Sequence, residues 1–410
     1  MTHLALLRRD LSSRGHAVHT LTAIPSGAGE TLSNGSVSYA HPALHDGVPF
    51  RYHLNLLGAY TRLRSAFSPD VVHIHSHSGA AIAMKERRIP VVTTVHAADP
   101  PEIDAPESRL TSLYRTAERA VKRRQTSALL RFSDRVFVPS AKTARDLRQF
   151  CPQLDLGGLE ILPVGVDLDR FRPLAKNEVK ARLGYEGRFV FLFVGRMTRR
   201  KGADDLVRAA PAVLSVIEDV VLVIIGTGPM REALMKEAAR LGVSDRVHFI
   251  GAVPNHELPA YYNAADVFIN PTRENETFGL TTVEAMACGL PVVISRSGAE
   301  TGIASPREAR LFDGRDELIS NMKELWADDG LRDALAARGR QQAKRFSFDR
   351  VAARLNDSYE QLVAAGKTPS AATADRDWGS FWCANVADGR IRWLRRMRNR
   401  VSGYGESQTK

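Results

Sequence analysis

Two glutamates with seven residues between them, Glu276 and Glu284, are the side chains of this sequence best spaced to grip a polyol. Between them runs Phe278-Gly279-Leu280-Thr281, and the segment closes in Ala285-Met-Ala-Cys288-Gly289-Leu-Pro291-Val-Val. The apolar run ahead of it, Ala265 to Asn270, reads as a short buried parallel strand. Thr281 to Cys288 reads as a helix that Gly289 stops, with Pro291 beyond. Strand, polar loop and helix start leave N–H groups unpaired and a positive dipole end facing the loop, which suits a phosphate. Glu276 is then expected in the loop, reaching toward whatever hangs from that phosphate. Glu284 is expected on the first helical turn, where a carboxylate binds vicinal hydroxyls. Phosphate, ribose and sugar in one pocket make a nucleotide-sugar the expected ligand.

Gly195-Arg196 and Lys201-Gly202 follow directly on the run Phe189–Val194. The planar fork of Arg196 can hold two oxygens of a diphosphate and Lys201 adds a point charge. Both would also stabilise a departing nucleoside diphosphate. The alternative is a basic surface loop before a helix; Arg199 and Arg200 are read as solvated. Gly226 and Gly228, before Pro229, form another strand–glycine–helix turn. No Gly-x-Gly-x-x-Gly with a downstream acid is present, so NAD is not supported. His96 ends the run Val91–Val95, where it can point into a cleft or serve the core. His73, His75 and His77 alternate as on one strand, a pattern open to metal binding but read as structural.

Glu276-Thr-Phe-Gly through Glu284 to Gly289-Leu-Pro-Val-Val resembles the signature of the large retaining GT-B glycosyltransferase family, family four. The resemblance extends over about residues 2–363. It implies that Glu276 contacts donor-sugar hydroxyls, that Glu284 contacts the ribose and that amides of Phe278, Gly279, Leu280 and Thr281 hold the diphosphate. Gly195-Arg196 through Lys201-Gly202 is similar to the family's diphosphate element. Gly226-x-Gly228-Pro is similar to its nucleotide-pocket wall, and Gly251-Ala-Val253-Pro to the element whose backbone contacts the base. His96 looks like the first-domain histidine that approaches the sugar, with Ala97 in place of the usual glycine. Catalytic roles thus fall to His96, Glu276, Arg196 and Lys201. Front-face attack with retention, and a departing phosphate that accepts the acceptor's proton, is the implied chemistry.

The elements that must position these groups alternate strand and helix, which argues for parallel sheets covered by helices. Strands are expected at 17–23, 71–75, 91–96, 135–140 and 159–163, then at 189–194, 220–225, 247–250, 267–269 and 292–294. Helices are expected at 3–14, 203–217 and 229–241. The fold class expected is α/β, and the resemblance implies GT-B: two doubly wound Rossmann-like domains facing across a cleft, here with the first strand of the N-terminal domain missing. Residues 1–170 form the acceptor-side domain and 171–345 the nucleotide-sugar domain, with 163–173 as the crossing. Residues 346–365 form a helix returning to the first domain, and 366–410 a flexible basic tail. Compared with the family, the chain begins inside the first helix, which would leave two strand edges and a core groove; the expectation is a true start upstream of Met1 or a chain that is a fragment. A short strand is expected to be lost between Glu300 and Leu311, reducing that edge of the second domain.

At 410 residues, 44% apolar and 25% charged, the chain is of globular type and long enough for two or three domains. Its apolar runs are strand-sized, and the start has no signal-peptide core. Three scattered cysteines make neither a disulfide framework nor a metal site, so a reducing, cytoplasmic setting is expected. The net charge of +11 is concentrated. Residues 108–135 hold eight Lys/Arg against two acids, and 366–410 hold nine against four. Such clusters imply a polyanionic neighbour. In the helix expected over 110–132, Leu110, Leu113, Tyr114, Ala117, Val121, Ala128 and Phe132 share a face, with Arg115, Arg119, Lys122 and Arg123 opposite. It is either an ordinary domain helix or a docking face for anionic lipid, as is 390–401. Nucleic acid is not expected, for want of a binding motif.

The expected function is transfer of a sugar from a UDP- or GDP-sugar, without a cofactor or metal, to a lipid-linked or saccharide acceptor, in cell-envelope glycan or glycolipid synthesis. The alternatives are a non-catalytic nucleotide-sugar-binding homologue or fragment, a GT-B epimerase or hydrolase, and a sugar-phosphate-forming enzyme. The expected place is the cytoplasm, peripherally on the inner face of the plasma membrane.

Overall fold

The computed structural model describes residues 3–22, 31–33, 36–40, 49–75, 77–97, 109–274 and 276–366. The first domain holds two separate sheets. Strands β1 (His19–Thr22), β2 (Thr31–Ser33) and β3 (Ser36–Ala40) make one, in the order β1-β3-β2, with the first pair parallel and the second antiparallel. Strands β4 (Val72–Ile74), β5 (Val91–Thr94), β6 (Arg135–Val138) and β7 (Leu159–Ile161) make the other, parallel and in chain order. Among the described residues no ladder joins β1 to β4.

The second domain is one parallel sheet of β8 (Phe189–Val194), β9 (Val220–Ile225), β10 (Val247–Gly251), β11 (Val267–Asn270), β12 (Val292–Ser295) and β13 (Ala309–Phe312). Its order is β10-β9-β8-β11-β12-β13. The strand β13 occupies the edge beside β12, and its Leu311 and Phe312 pair with Ile294 and Ser295. Both faces of this sheet are covered, which explains the unbroken apolar runs. In β8, Val190, Leu192 and Val194 face one core and Phe191 and Phe193 the other. In β9, Val221, Val223 and Ile225 alternate likewise with Val220, Leu222 and Ile224. Each such side chain, fully buried, stabilises the fold by about 1.5–3 kcal/mol before ordering entropy is counted.

The chain passes between the domains twice, side by side. The Val166 N–H donates to the Phe346 carbonyl at 2.9 Å, and the Phe348 N–H donates back to the Val166 carbonyl at 2.8 Å. Gly165 permits this approach, since a Cβ there would lie 2.7 Å from the Phe348 Cα. The helix Phe348–Ala365 then enters the first domain's core. Its Phe348, Val351, Ala352 and Leu355 meet Leu6, Leu7 and Leu11 of the helix His3–Ser13, together with Val92, Phe137 and Leu162. His16 Nε2 lies 2.7 Å from Asn356 Oδ1, and Arg135 Nη1 donates to Ser358 Oγ at 2.8 Å.

Candidate active site

The strand order of the second sheet reverses between β8 and β11, and ligands of such sheets bind outside the carboxyl ends at that point. The loop after β8 runs from Gly195 to Gly202, and the loop after β11 from Pro271 to Gly279. They are the two segments that the sequence marks for chemistry.

The β8 loop is held from the β9 side. The Gly195 N–H donates to the Ile225 carbonyl at 3.0 Å, and the Met197 N–H to the Thr227 carbonyl at 2.9 Å. A Cβ on Gly226 would overlap the Gly195 carbonyl, so only glycine lets these backbones meet. The Gly228 turn presses on Met197 in the same way, and the Gly226 N–H reaches the Gly251 carbonyl at 2.7 Å. Val253 packs against the sheet's core just beyond. Met197 is thereby buried and its neighbour Arg196 is left exposed at the loop's crest.

From the other side, Gly202 closes a short 3₁₀ turn at φ +69° and starts the helix Ala203–Leu214. A Cβ there would overlap the Pro271 carbonyl, so the glycine allows the two loops to touch. Arg273 fastens the contact: its N–H donates to the Arg200 carbonyl at 2.9 Å, and its guanidinium pairs with Asp204 at 2.8 Å and Asp205 at 2.7 Å. The result brings Lys201 Nζ to 2.5 Å from Glu276 Oε2. Glu276 is 6% exposed, and the Thr272 hydroxyl, which donates to Asn270 Oδ1 at 2.6 Å, stands 3.2 Å from the same carboxylate oxygen. Arg199 is exposed and Arg200 half-buried, with its carbonyl engaged by Arg273.

Gly279, at φ +90°, caps the helix Leu280–Ala287, and Phe278 is buried beside it. Among the described residues the N–H groups of Phe278, Gly279, Leu280 and Thr281 find no backbone acceptor. Donors facing a polar loop at a helix start make an anion cradle. Glu284 is the fifth helical residue, one place further along than expected, because the helix starts at Leu280 rather than Thr281, and it falls on the helix's inward face. It is 4% exposed, and the Tyr262 hydroxyl donates to its Oε2 at 2.8 Å. Burial raises the Glu284 pKa to about 7 against the opposing pull of the Tyr262 hydrogen bond and Arg170. The Tyr262 hydroxyl is itself held well above its ordinary value by burial beside that carboxylate, so it remains a donor.

In the first domain, His96 follows the end of β5 and its Nε2 lies 3.1 Å from His75 Nδ1. Burial depresses the His96 pKa, so the ring is neutral at neutral pH. Only His73 of the histidine series lies in β4; it bonds the Tyr359 hydroxyl at 2.5 Å and the Thr94 hydroxyl at 2.8 Å. His75 falls just past the strand and His77 in the turn His77–Gly79. His77 is lowered to about 4 by burial, then by Lys122 and His96. His73, His75 and His96 line one cavity with Thr94, Pro163 and Leu355.

The basic helix spans Arg109–Phe132. Val121, Ala128 and Leu129 are buried, and Arg119, Arg123 and Arg124 are exposed. Lys122 departs from the expected outer face: it is half-buried and acts on His77. Residues 390–401 lie outside the described residues. No helix among the described residues is long and apolar enough to cross a membrane.

Sequence reasoning did not find Tyr262 or Arg273. Tyr262 lies 22 residues before its glutamate in an ordinary helix, and Arg273 sits unremarkably among loop polars. Neither carries a local signal.

Two family models cover most of the chain: Glycosyltransferase Family 4 over residues 2–170, and Glycosyl transferases group 1 over residues 175–342. A D-inositol 3-phosphate glycosyltransferase of Xylanimonas cellulosilytica is 33% identical over 319 residues, 72% of each chain. A GDP-mannose-dependent alpha-(1-6)-phosphatidylinositol monomannoside mannosyltransferase of Mycobacterium tuberculosis is 36% identical over 233 residues, 54% of this chain and 60% of that one. The match therefore spans less than two thirds of that relative. Sucrose-phosphate synthase from Thermosynechococcus elongatus shares the fold, with a TM-score of 0.76 at 23% identity, over 88% of this chain and 93% of its own. The paired loops at the switch point, the two-domain α/β architecture and these matches together place the chain in the GT-B glycosyltransferases of family four.

Proposed function

We propose that this chain transfers a sugar from a nucleotide-sugar, GDP- or UDP-linked, to a lipid-linked or saccharide acceptor with retention of anomeric configuration and without a metal. The supporting observation is the convergence of Lys201, Glu276 and the open amides of Phe278 to Thr281 at one switch point. In this reading the amides and Arg196 receive the diphosphate, and Lys201 leaves Glu276 for it. That exchange frees the Glu276 carboxylate to accept from sugar hydroxyls. Glu284, supported by Tyr262, accepts from the ribose. His96, neutral and steadied by His75, donates to or accepts from the sugar from the first domain. The positive charge that the departing diphosphate requires comes from Arg196 and Lys201. The β-phosphate oxygen takes the acceptor's proton as the acceptor attacks on the face the leaving group vacates.

The named activities of the two relatives, on inositol phosphate and on a phosphatidylinositol mannoside, favour a polyol or lipid-linked acceptor. The exposed arginines of the helix Arg109–Phe132 suit an anionic membrane surface at the cytoplasmic face, where each is worth about 1 kcal/mol.

The test offers UDP-, GDP- and ADP-sugars with a membrane extract and follows products by mass spectrometry. A glycosylated acceptor product, lost in Arg196→Ala and Lys201→Ala, is the expected result. Unchanged rates in both variants sink the reading. Sugar release or an epimerised donor with no acceptor product moves the chain to the hydrolase or epimerase alternative.

A further inference from the structure

One contact between the domains lands on the donor loop itself. The loop's Thr277 carbonyl accepts from Ser140 Oγ at 2.7 Å and from Thr143 Oγ1 at 3.1 Å. Both hydroxyls belong to the first domain, at the start of the helix Ala141–Phe150 that follows β6. Ser140 is 3% exposed and Thr143 1%. Ser140 is also the helix N-cap: its Oγ accepts the Thr143 N–H at 3.1 Å while its own proton goes across the cleft. A hydroxyl has one proton to give and two lone pairs, and a carbonyl has two lone pairs, so all these bonds are made at once.

Thr277 is flanked by Glu276 and Phe278. A trans peptide sends its C=O and its N–H in opposite directions. Holding the Thr277 carbonyl on the first domain therefore turns the Phe278 N–H away from it, back over the second domain. That N–H is one of those with no backbone acceptor among the described residues. The same clasp anchors the residue next to Glu276, whose carboxylate is tied to Lys201.

We propose that Ser140 and Thr143 are positioning residues that set the donor loop when the two domains close on each other. The clasp forms only with the cleft closed; with it open, water solvates the carbonyl and both hydroxyls, and the Phe278 peptide is free to turn. Closure and the orientation of the diphosphate-binding amide are thereby one event. The inference rests on the loop's being the donor site.

Two variants separate this role from a merely structural one. Thr143→Val keeps the shape and the Ser140 cap and removes one donor. Ser140→Asp keeps, and on general grounds improves, the N-cap, but puts a carboxylate against the Thr277 carbonyl. In the full chain, GDP and UDP affinity is measured by calorimetry, closure by the contraction in small-angle X-ray scattering on adding the diphosphate, and turnover with the sugar nucleotides. For Thr143→Val the expected result is a three- to tenfold weaker diphosphate affinity. For Ser140→Asp it is at least a thirtyfold weaker affinity with the contraction abolished. Both variants should still unfold in one cooperative thermal transition, lowered to the extent that a buried hydrogen bond is lost. Wild-type affinity and contraction in both variants overturn the proposal, as does a wild-type chain that binds neither diphosphate. Affinity that responds as expected in a chain without turnover supports the clasp and removes the transferase reading.

Discussion

The two domains solve the same packing problem differently. The second closes one uninterrupted sheet over two cores built almost wholly from its own consecutive segments, with Val166 of the crossing added to one of them. The first is divided into two sheets and takes part of its core from a helix that starts nearly two hundred residues after its last strand ends. The consequence is a division of labour. The second domain holds most of the proposed donor contacts, and the composite one supplies the proposed contact from His96 and the two hydroxyls bonded to the Thr277 carbonyl.

If that division is right, damage in each domain should be read by a different measurement. The largest effect belongs to the second domain's charge pair. Lys201→Ala should lower kcat/KM for the donor by about 10²–10³-fold, since one preorganised donor to a developing anion is worth that much. The opposite pattern is expected from the borrowed helix. Leu355, 2% exposed among the first domain's leucines, should on change to Ala destabilise by about 2–5 kcal/mol, seen by denaturant unfolding. A first domain equally stable without that side chain would erase the contrast.

Glu284 sharpens the comparison through pH. With its pKa at about 7, the carboxylate becomes protonated as pH falls through neutrality; if it binds the ribose as proposed, donor Kd should rise on acidification below about 7. Its effect on stability has the other sign. The folded pKa lies above the ordinary 4.5, so the folded state holds the extra proton and the group's contribution to stability declines as pH climbs from about 4.5 to about 7. Calorimetric titration from pH 5.5 to 8.5 should show the affinity trend in the wild type and a flat profile in Glu284→Gln. The smallest change is expected at the loop fastener. Arg273 is more than a third exposed, so Arg273→Ala should destabilise by about 1 kcal/mol or less, with a modest rise in donor KM as the Lys201 and Glu276 loops loosen.

Legibility in the sequence follows the same split. Phe189–Val194 and Val220–Ile225 could be bounded to the residue, because a strand buried on both faces is apolar at every position. Thr31–Ser33 and Ser36–Ala40 left no such mark, being short and rich in serine and threonine. Ala309–Phe312 was also missed: as an edge strand it tolerates Arg310 in mid-run. In the site, the loops flanking Lys201 and Glu276 were visible through their glycines and charges, whereas their pairing across 75 residues was not. Glu284 was placed to within one helical residue, since the helix starts at Leu280 rather than Thr281, but its burial against the Tyr262 hydroxyl was not visible.

Residue types and spacing by themselves determined the parallel α/β class, the two-domain division and the glycine-bounded loops that can hold a phosphate, since each depends on local periodicity and local backbone freedom. Only the tertiary structure decided that Lys201 rests on Glu276, that Tyr262 supports Glu284, that Ser140 and Thr143 hold Thr277, and that the last helix completes the first core. Those are meetings of groups tens to hundreds of residues apart, and closing such loops leaves no trace in the local pattern of either partner.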